Sequence, residues 1–353
     1  MEHQGPTLRH GFCLDIVIPN YNGKQFLETC LDSIFRQGCN AFQVIIVDNG
    51  STDGSVAFLR ERYPAVRVIA LAENTGFSAA VNRGISSGGS PLVFLLNNDT
   101  ELAPDCLAEL VLAAEQHADG FFAPKMLSFR ERHLLDGAGD GFLRGGVGYR
   151  LGTMEADGPL YNESRQVFGA CGGAALYRRA MLDRIGLLDE DFFAYLEDVD
   201  LNFRANSAGF TCRYIPAARV YHIGSATTGS KINAFTVRLS TRNNLYLLLK
   251  NYPVSLFARF FPAICIYQAC WLLFVIKKGQ LAGYCSGIFG FLRGFVSVLR
   301  KRRQILSAAT IDQRELVQRI MEAERAVVTS IMHRRQAQGK GNWLLRAYSR
   351  LLL

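Results

Sequence analysis

Apolar and amphipathic blocks alternate along the first third of the chain. Leu14 to Pro19 (LDIVIP) has the unbroken apolar character of a buried strand, and Gln25 to Gln37 then sets Phe26, Leu27, Cys30, Leu31, Ile34 and Phe35 on one helical face. Phe42 to Val47 predicts a second strand ending at Asp48. Asn49, Gly50, Ser51, Thr52 and Asp53 follow, with Asp53 placed to cap a helix running to Tyr63. Val66 to Leu71 predicts a third strand, and a helix from about Gly76 to Ser87 leads to a fourth apolar run after Pro91. Strand and helix alternating in this way predict a mostly parallel sheet with right-handed crossovers.

Gly120 to Met126 predicts a fifth strand. From Leu127 to Gln166 the periodicity dissolves into glycine-rich sequence (Gly137, Gly139, Gly141, Gly145, Gly146, Gly148), the composition of a long functional loop region. The small residues from Gly169 to Ala175 fit either close approach of backbone to a ligand or tight strand packing. A short helix near Arg178 to Ile185, the acidic segment Phe192 to Asp200 (FFAYLEDVD), a helix from Val199 to Ser207 and a strand from Cys212 to Pro216 complete this region, and Arg219 to His222 leads into a Gly, Ser and Thr loop. Two long apolar runs, Val254 to Ile276 and Leu281 to Leu299, come next, interrupted by Arg259 and Arg293. Ile311 to Arg334 reads as a polar amphipathic helix. The expected division is one large domain over residues 1–250 and a helical region over 251–353.

The fourth strand ends abruptly at Asn97, Asn98 and Asp99. In an open α/β sheet, ligands lie in the crevice outside the carboxyl ends of the strands, so Asp99 is a candidate metal ligand. The alternative is a plain turn before a helix whose first residue is Pro104. A dinucleotide or methyl-donor fold needs a glycine-rich turn after the first strand, whereas this chain has Pro19, Asn20, Tyr21, Asn22 and Gly23 there. An aromatic and two amides suit a nucleobase and ribose better than a pyrophosphate. Tyr21 could stack on the base and Asp48 accept its imide N–H.

The segments VIPNYN (17 to 22), VDNGSTDGS (47 to 55), AENTGFSAAVNRG (72 to 84), LLNNDTEL (95 to 102) and FFAYLEDVDLNFR (192 to 204) resemble, in order and spacing, a family-2 glycosyltransferase, nearest its rhamnosyltransferase-like members. The resemblance covers roughly residues 13 to 250. It implies a nucleotide-sugar-binding GT-A fold of the α/β class, a divalent cation (Mg²⁺ or Mn²⁺) and inversion at the anomeric carbon. The C-terminal extension is expected to be helical and membrane-interface-like. Carried over by residue, the resemblance puts the base between Tyr21 and Asp48, beside Pro19 and Asn22. Ribose and diphosphate fall near Asn74, Gly76, Asn82, Asn97 and Asn98, and the metal on Asp99. His222 is either a further ligand or an ordinary loop histidine. Asp198 is the implied general base, with Glu197 the next candidate, while the bland reading of Asp198 is an N-cap for the helix from Val199.

Neither Trp271 nor Trp343 sits in the Q-x-x-R-W pattern of processive synthases, so transfer of a single sugar is expected. Rhamnose from a dTDP donor is the first reading and UDP-sugars stay open. The expected acceptor is a cell-surface glycan precursor or a lipid-linked glycan. A non-catalytic nucleotide-sugar-binding subunit is the competing function.

Composition changes this picture mainly at the C-terminal end. The 353 residues are 49% hydrophobic and 20% charged, ample for a sizeable core, and the nine cysteines include no CxxC pair, which fits a reducing cytoplasm. No Asp or Glu stands between Asp200 and Asp312, where about 15 Lys and Arg lie, so the net charge of +8 is concentrated in that stretch. Basic residues interleaved with apolar runs suit helices lying in an anionic membrane interface. A spanning hairpin would set Lys277 and Lys278 opposite Arg300 to Arg303, against the positive-inside tendency. The expectation is a cytoplasmic protein held peripherally at the membrane, with no nucleic-acid partner. A soluble helical subdomain or a homo-oligomer interface is the alternative. Gly283 with Gly287, and Gly290 with Gly294, are spaced for close helix packing.

Overall fold

The computed structural model describes residues 13–39, 41–224 and 232–352. The elements run β1 (Leu14–Asn20), α1 (Lys24–Phe35), β2 (Phe42–Asp48), α2 (Ser55–Arg62), β3 (Arg67–Ala70), α3 (Phe77–Ser87), β4 (Leu92–Leu96), β5 (Thr100–Leu102), α4 (Cys106–Gln116) and β6 (Phe121–Ser128). Then come β7 (Leu135–Ala138), β8 (Asp140–Leu143), β9 (Val147–Arg150), β10 (Arg165–Val167), β11 (Ala174–Arg178), α5 (Arg179–Ile185), α6 (Glu197–Ser207) and β12 (Cys212–His222). Five helices close the chain: α7 (Ala234–Asn251), α8 (Val254–Lys277), α9 (Leu281–Ala308), α10 (Gln313–Ala337) and α11 (Trp343–Leu352).

The main sheet has the order β10-β12-β6-β11-β4-β1-β2-β3. β3, β2, β1 and β4 run parallel, as do β6 and β12, and β11 lies antiparallel between β4 and β6. Because side chains alternate across a strand, β1 sends Ile16 and Ile18 into one buried layer with α1 and α4, and Val17 into another with α3, α5 and α6. The predicted mixed α/β architecture with a mostly parallel sheet is therefore the one observed.

Three expectations need correction. The glycine-rich stretch is only partly a loop: residues 135–150 supply β7, β8 and β9, whose glycines admit neighbours a side chain would exclude. Added Cβ atoms would lie 2.4 Å from Val327 at Gly141 and 2.7 Å from Val199 at Gly148. Cys212 to Pro216 and Arg219 to His222 form one strand, β12, whose register shifts between Ile215 and Arg219. Pro104 does not start a helix, since α4 begins at Cys106 behind Asp105, which has φ 62°. Helix α7, which the pattern did not announce, is opened by a capping box between Asn233 and Thr236.

The paired glycines of α9 do pack closely, and their partner is α7. A Cβ at Gly283 would lie 2.9 Å from the Ala234 carbonyl, and one at Gly287 2.7 Å from that of Arg238. One apolar cluster joins Phe142, Phe168 and Phe203 to Tyr252, Leu256, Phe260, Val298 and Ile320, so it crosses residue 250 without a break. The basic stretch is partly consumed within the fold. Lys250 is fully buried between Asp189 (2.6 Å) and Asp200 (2.8 Å), and Lys301 binds Asp189 (2.5 Å) and Asp191 (2.6 Å).

Candidate active site

The strand ends converge on a cleft of about 600 Å³, the size of a small-molecule site. β1 delivers Pro19, Asn20 and Tyr21, and the chain after β4 delivers Asn97, Asn98 and Asp99. The end of β12 adds His222 and the start of α6 adds Glu197 and Asp198. Tyr21 is 37% exposed, an available ring at the mouth.

Behind this surface, amides hold one another. Asn98 Nδ2 donates to Asn20 Oδ1 (2.7 Å), and Asn20 Nδ2 donates to Asp48 Oδ2 (2.8 Å). Asp48 Oδ1 accepts the Ser51 N–H (3.0 Å). Asp48 is thus buried behind Asn20 and is not among the lining residues. Asn22, at φ 48°, likewise faces away, its Oδ1 taking the Thr52 N–H at 2.8 Å. Asn74 lines the cleft and accepts from Asn49 Nδ2 (3.0 Å) and the Gly76 N–H (3.0 Å). Gly76 has φ +93°, and a Cβ there would fall 2.6 Å from the Phe193 ring, so only glycine fits. Asn82 is elsewhere: it ties α3 to Leu188 by a pair of hydrogen bonds (2.8 and 3.1 Å).

Asp99 and His222 have the makings of a cation site. His222 Nε2 lies 3.4 Å from Asp99 Oδ1 in a geometry that makes no hydrogen bond, and among the described residues this buried ring nitrogen has no hydrogen-bond partner. The other nitrogen, Nδ1, is fixed by Asp136 Oδ2 at 2.7 Å, the outer-shell contact that ligating histidines commonly make. Burial would lower the His222 pKa, but the carboxylates of Asp136 and Asp99 overcome it and the net direction is upward. Among the described residues no group of three metal-binding side chains gathers, so a cation here would take its remaining ligands from substrate oxygens and water. These residues fit a hard divalent ion of that kind.

The acidic pair at α6 divides into two environments. The helix starts at Glu197 behind Leu196, which has φ 66°, so Asp198 is not its N-cap. Asp198 lines the cleft, with Oδ2 accepting the Gly172 N–H (2.9 Å) and Oδ1 that of Val199 (2.8 Å). Glu197 is buried, its Oε2 without a hydrogen-bond partner among the described residues, and burial, then the charge of Asp198, pushes its carboxyl well above the ordinary range. Of the small residues before β11, Gly172 and Gly173 line the cleft, while Gly169 packs on Asn202, whose amide would lie 2.3 Å from an added Cβ.

Several site residues escaped the sequence reading. Arg150 on β9 lines the cleft and pairs with Asp136 at 2.5 Å. Both come from the glycine-rich stretch, where function was expected but no residue singled out. Phe193, Ala194, Tyr195 and Leu196 also line the cleft. Phe193, Tyr195 and Leu196 hold φ near +65° (64°, 69° and 66°), a conformation costing bulky residues about 1–3 kcal/mol each.

Comparison with known proteins agrees with this geometry. The family model described as glycosyl transferase family 2 matches residues 15–186. Residues 15–186 belong to glycosyl transferase family 2. An N-acetylglucosaminyl-diphospho-decaprenol L-rhamnosyltransferase of Mycobacterium tuberculosis is 29% identical over 238 residues, 61% of this chain and 78% of that protein. Among solved structures, residues 1–349 of S. aureus TarS superpose with a TM-score of 0.53 at 14% identity, covering 93% of this chain and 92% of that one. GalNAc-T7 with UDP, GalNAc and Mn²⁺ gives a TM-score of 0.57 at 15% identity over 68% of this chain and 48% of that one. The protein is a glycosyltransferase that uses a nucleotide-sugar donor.

Proposed function

We propose that this family-2 enzyme is an inverting, metal-dependent transferase that adds one sugar, rhamnose from dTDP-rhamnose, to a lipid-linked or cell-surface glycan acceptor. The observation that carries the reading is a single cleft into which the carboxylate of Asp198 and the Asp99–His222 pair both open. An acceptor hydroxyl attacks the anomeric carbon from the side opposite the nucleotide. The new C–O bond forms as the sugar–phosphate bond breaks, with the electron pair leaving on the diphosphate and the hydroxyl proton passing to Asp198. A divalent cation, Mg²⁺ or Mn²⁺, held by Asp99 and His222 would neutralise charge on the departing diphosphate. Tyr21, Asn74, Asn97 and Asn98 present an aromatic face and amides to the nucleotide and sugar. Glu197, whose carboxyl is pushed up by burial and by the charge of Asp198, is less suited than Asp198 to be the base. The choice of rhamnose draws on the mycobacterial relative's activity.

Asp198→Asn tests the base. It preserves volume and can still accept one N–H, so donor affinity and melting temperature should hold while turnover falls about 10²–10⁴-fold. Near-normal turnover would remove Asp198 from the chemistry. Thermal shift with dTDP-rhamnose against UDP-sugars, with and without Mg²⁺ or Mn²⁺, tests the donor and the metal.

The enzyme works, in this reading, at the cytoplasmic face of the membrane. Two helices, Val254–Lys277 and Leu281–Ala308, are long and apolar enough to cross a bilayer, and only 17% of each apolar window is buried. Their exposed residues include Phe261, Leu273, Ile276, Phe289, Leu292 and Val296, with the cations Arg259, Lys277, Lys278, Arg293, Arg300 and Arg303. Apolar surface of this kind beside exposed cations suits an anionic interface, where each basic residue adds about 1 kcal/mol. Replacing Phe289, Leu292 and Val296 by Ser should release the protein from anionic vesicles while leaving turnover of a water-soluble acceptor unchanged. Undiminished sedimentation with vesicles would exclude this face as the anchor.

A further inference from the structure

The backbone from Phe192 to Leu196 forms a wall of the cleft and leads directly into Glu197 and Asp198. Its geometry is improbable in isolation. Phe193, with φ 64° and ψ −63°, is the centre of a γ-turn of the rare positive-φ kind, closed by the Ala194 N–H on the Phe192 carbonyl at 2.7 Å. Tyr195 and Leu196 follow at φ 69° and 66°, so three large side chains occupy a region that L-residues avoid. Such a conformation persists only where its surroundings over-determine it.

Most of the restraint comes from one side chain. Asn243, in the middle of α7, is fully buried, and its Nδ2 points at three carbonyls of this segment: Phe192 (2.9 Å), Ala194 (2.8 Å) and Tyr195 (2.7 Å). Its Oδ1 accepts from Arg242 Nε at 2.9 Å, which fixes the amide orientation, and Arg242 Nη2 adds bonds to the Asp191 and Phe192 carbonyls (2.9 and 2.8 Å). On the other flank Phe193 O accepts the Ser78 N–H at 3.2 Å, at the start of the helix that Gly76 opens. Asn243 does not line the cleft.

We infer that Asn243 is a positioning residue: by clamping the strained carbonyls of residues 192–195 it sets the entry to α6, and with it the direction from which Asp198 meets the acceptor. The inference rests on the glycosyl-transfer reading for its kinetic consequence but not for its structural one. An asparagine uses both amide hydrogens here, and neither aspartate nor alanine can replace them.

The test compares Asn243→Ala and Asn243→Asp with Asn206→Ala. Asn206 is also a buried helical asparagine, whose Nδ2 bonds the carbonyls of Phe168 (2.7 Å) and Asn202 (2.9 Å), both outside the cleft wall. The Asn243 variants should lose about 10–100-fold in kcat, as expected for displaced catalytic geometry, with nucleoside diphosphate affinity within about twofold of the parent. Hydrogen exchange at residues 193–197 should accelerate in them. Asn206→Ala should lower the melting temperature comparably while keeping kcat within about threefold. If Asn243→Ala and Asn206→Ala lose kcat equally, or if neither Asn243 variant folds, Asn243 serves the fold alone and the inference is overturned. Should the parent protein transfer no sugar, the transfer reading fails, and unchanged exchange at residues 193–197 in Asn243→Ala would independently overturn the clamp.

Discussion

The two sides of the cleft are held by different physics. On the donor side, at the ends of β1, β2 and β4, the supports are short and mostly neutral: Asn98 to Asn20 to Asp48 to Ser51, each link a single hydrogen bond of 2.7–3.0 Å. On the helical side the wall at residues 192–198 is strained and braced by buried ions. Asp189 and Asp200 share Lys250, Arg204 Nε bonds Asp200 at 2.9 Å, and Lys301 reaches Asp189 from α9. A neutral network can lose one link and relax locally. A buried ion network that loses one member leaves an uncompensated charge. Losing one link on the donor side should therefore cost less stability than losing one ion on the helical side.

Asp99→Ala is expected to have the largest effect on the donor side, cutting cation-dependent turnover by about 10²–10³-fold with little change in melting temperature. It removes a carboxylate aimed into the cleft and no apolar contact. Retained turnover with the same response to Mg²⁺ or Mn²⁺ would take Asp99 out of the metal site. On the helical side, Lys250→Met should cost about 3–5 kcal/mol in urea unfolding, because Asp189 and Asp200 are then left facing each other through burial. Lys250, with Lys301, now holds the Asp189 carboxyl down at about 2. A loss below about 1 kcal/mol would show that Arg204 and Lys301 suffice, erasing the contrast between the two sides. Asn98→Ala should come next, at about 1–3 kcal/mol for the unpartnered Asn20 amide, with weaker donor binding. A stability loss larger than that of Lys250→Met would invert the comparison.

The same contrast explains what the sequence made legible. The donor side is written in short contiguous runs at strand ends, so Tyr21, Asn97, Asn98 and Asp99 could be read from Asn-rich turns after apolar strands and Asn74 from the family resemblance, and four of the βα crossings followed from periodicity alone. Asp48 was visible but its burial was not, because Asn20 screens it from a neighbouring strand. The helical side is built from segments far apart in the chain. Nothing local to Asn243 announces that it will meet Phe192, Ala194 and Tyr195, roughly fifty residues away. The positive φ of three large residues likewise has no local signature, since propensity argues against it. Glycine-rich Leu127 to Gln166 misled for a related reason: Gly141, Gly145, Gly146 and Gly148 make room for Val327, Tyr267, Leu248 and Val199 from later in the chain, so small-residue composition looked like a loop.

The smallest expected effect lies where the two sides meet. Asp140 on β8 is buried at 6% exposure, and burial, together with the neighbouring charge of Asp198, raises its carboxyl from 3.8 to about 7 despite the opposing pull of Arg150. A raised carboxyl acts on stability in one direction. Below about pH 4 the group is protonated in folded and unfolded chains alike and contributes no difference. As pH rises from about 4 to 7 the unfolded chain ionises first, so stability drains away, and above about 7 the loss is complete. Asp140→Asn removes this titration while keeping size and polarity. Its melting temperature should match the parent near pH 4 and exceed it by a few degrees at pH 8, with the gap opening between those limits. A stability gap independent of pH would mean that Asp140 is tuned by packing and not by charge. In that case the charge of Asp198 would have no part in raising the Asp140 carboxyl.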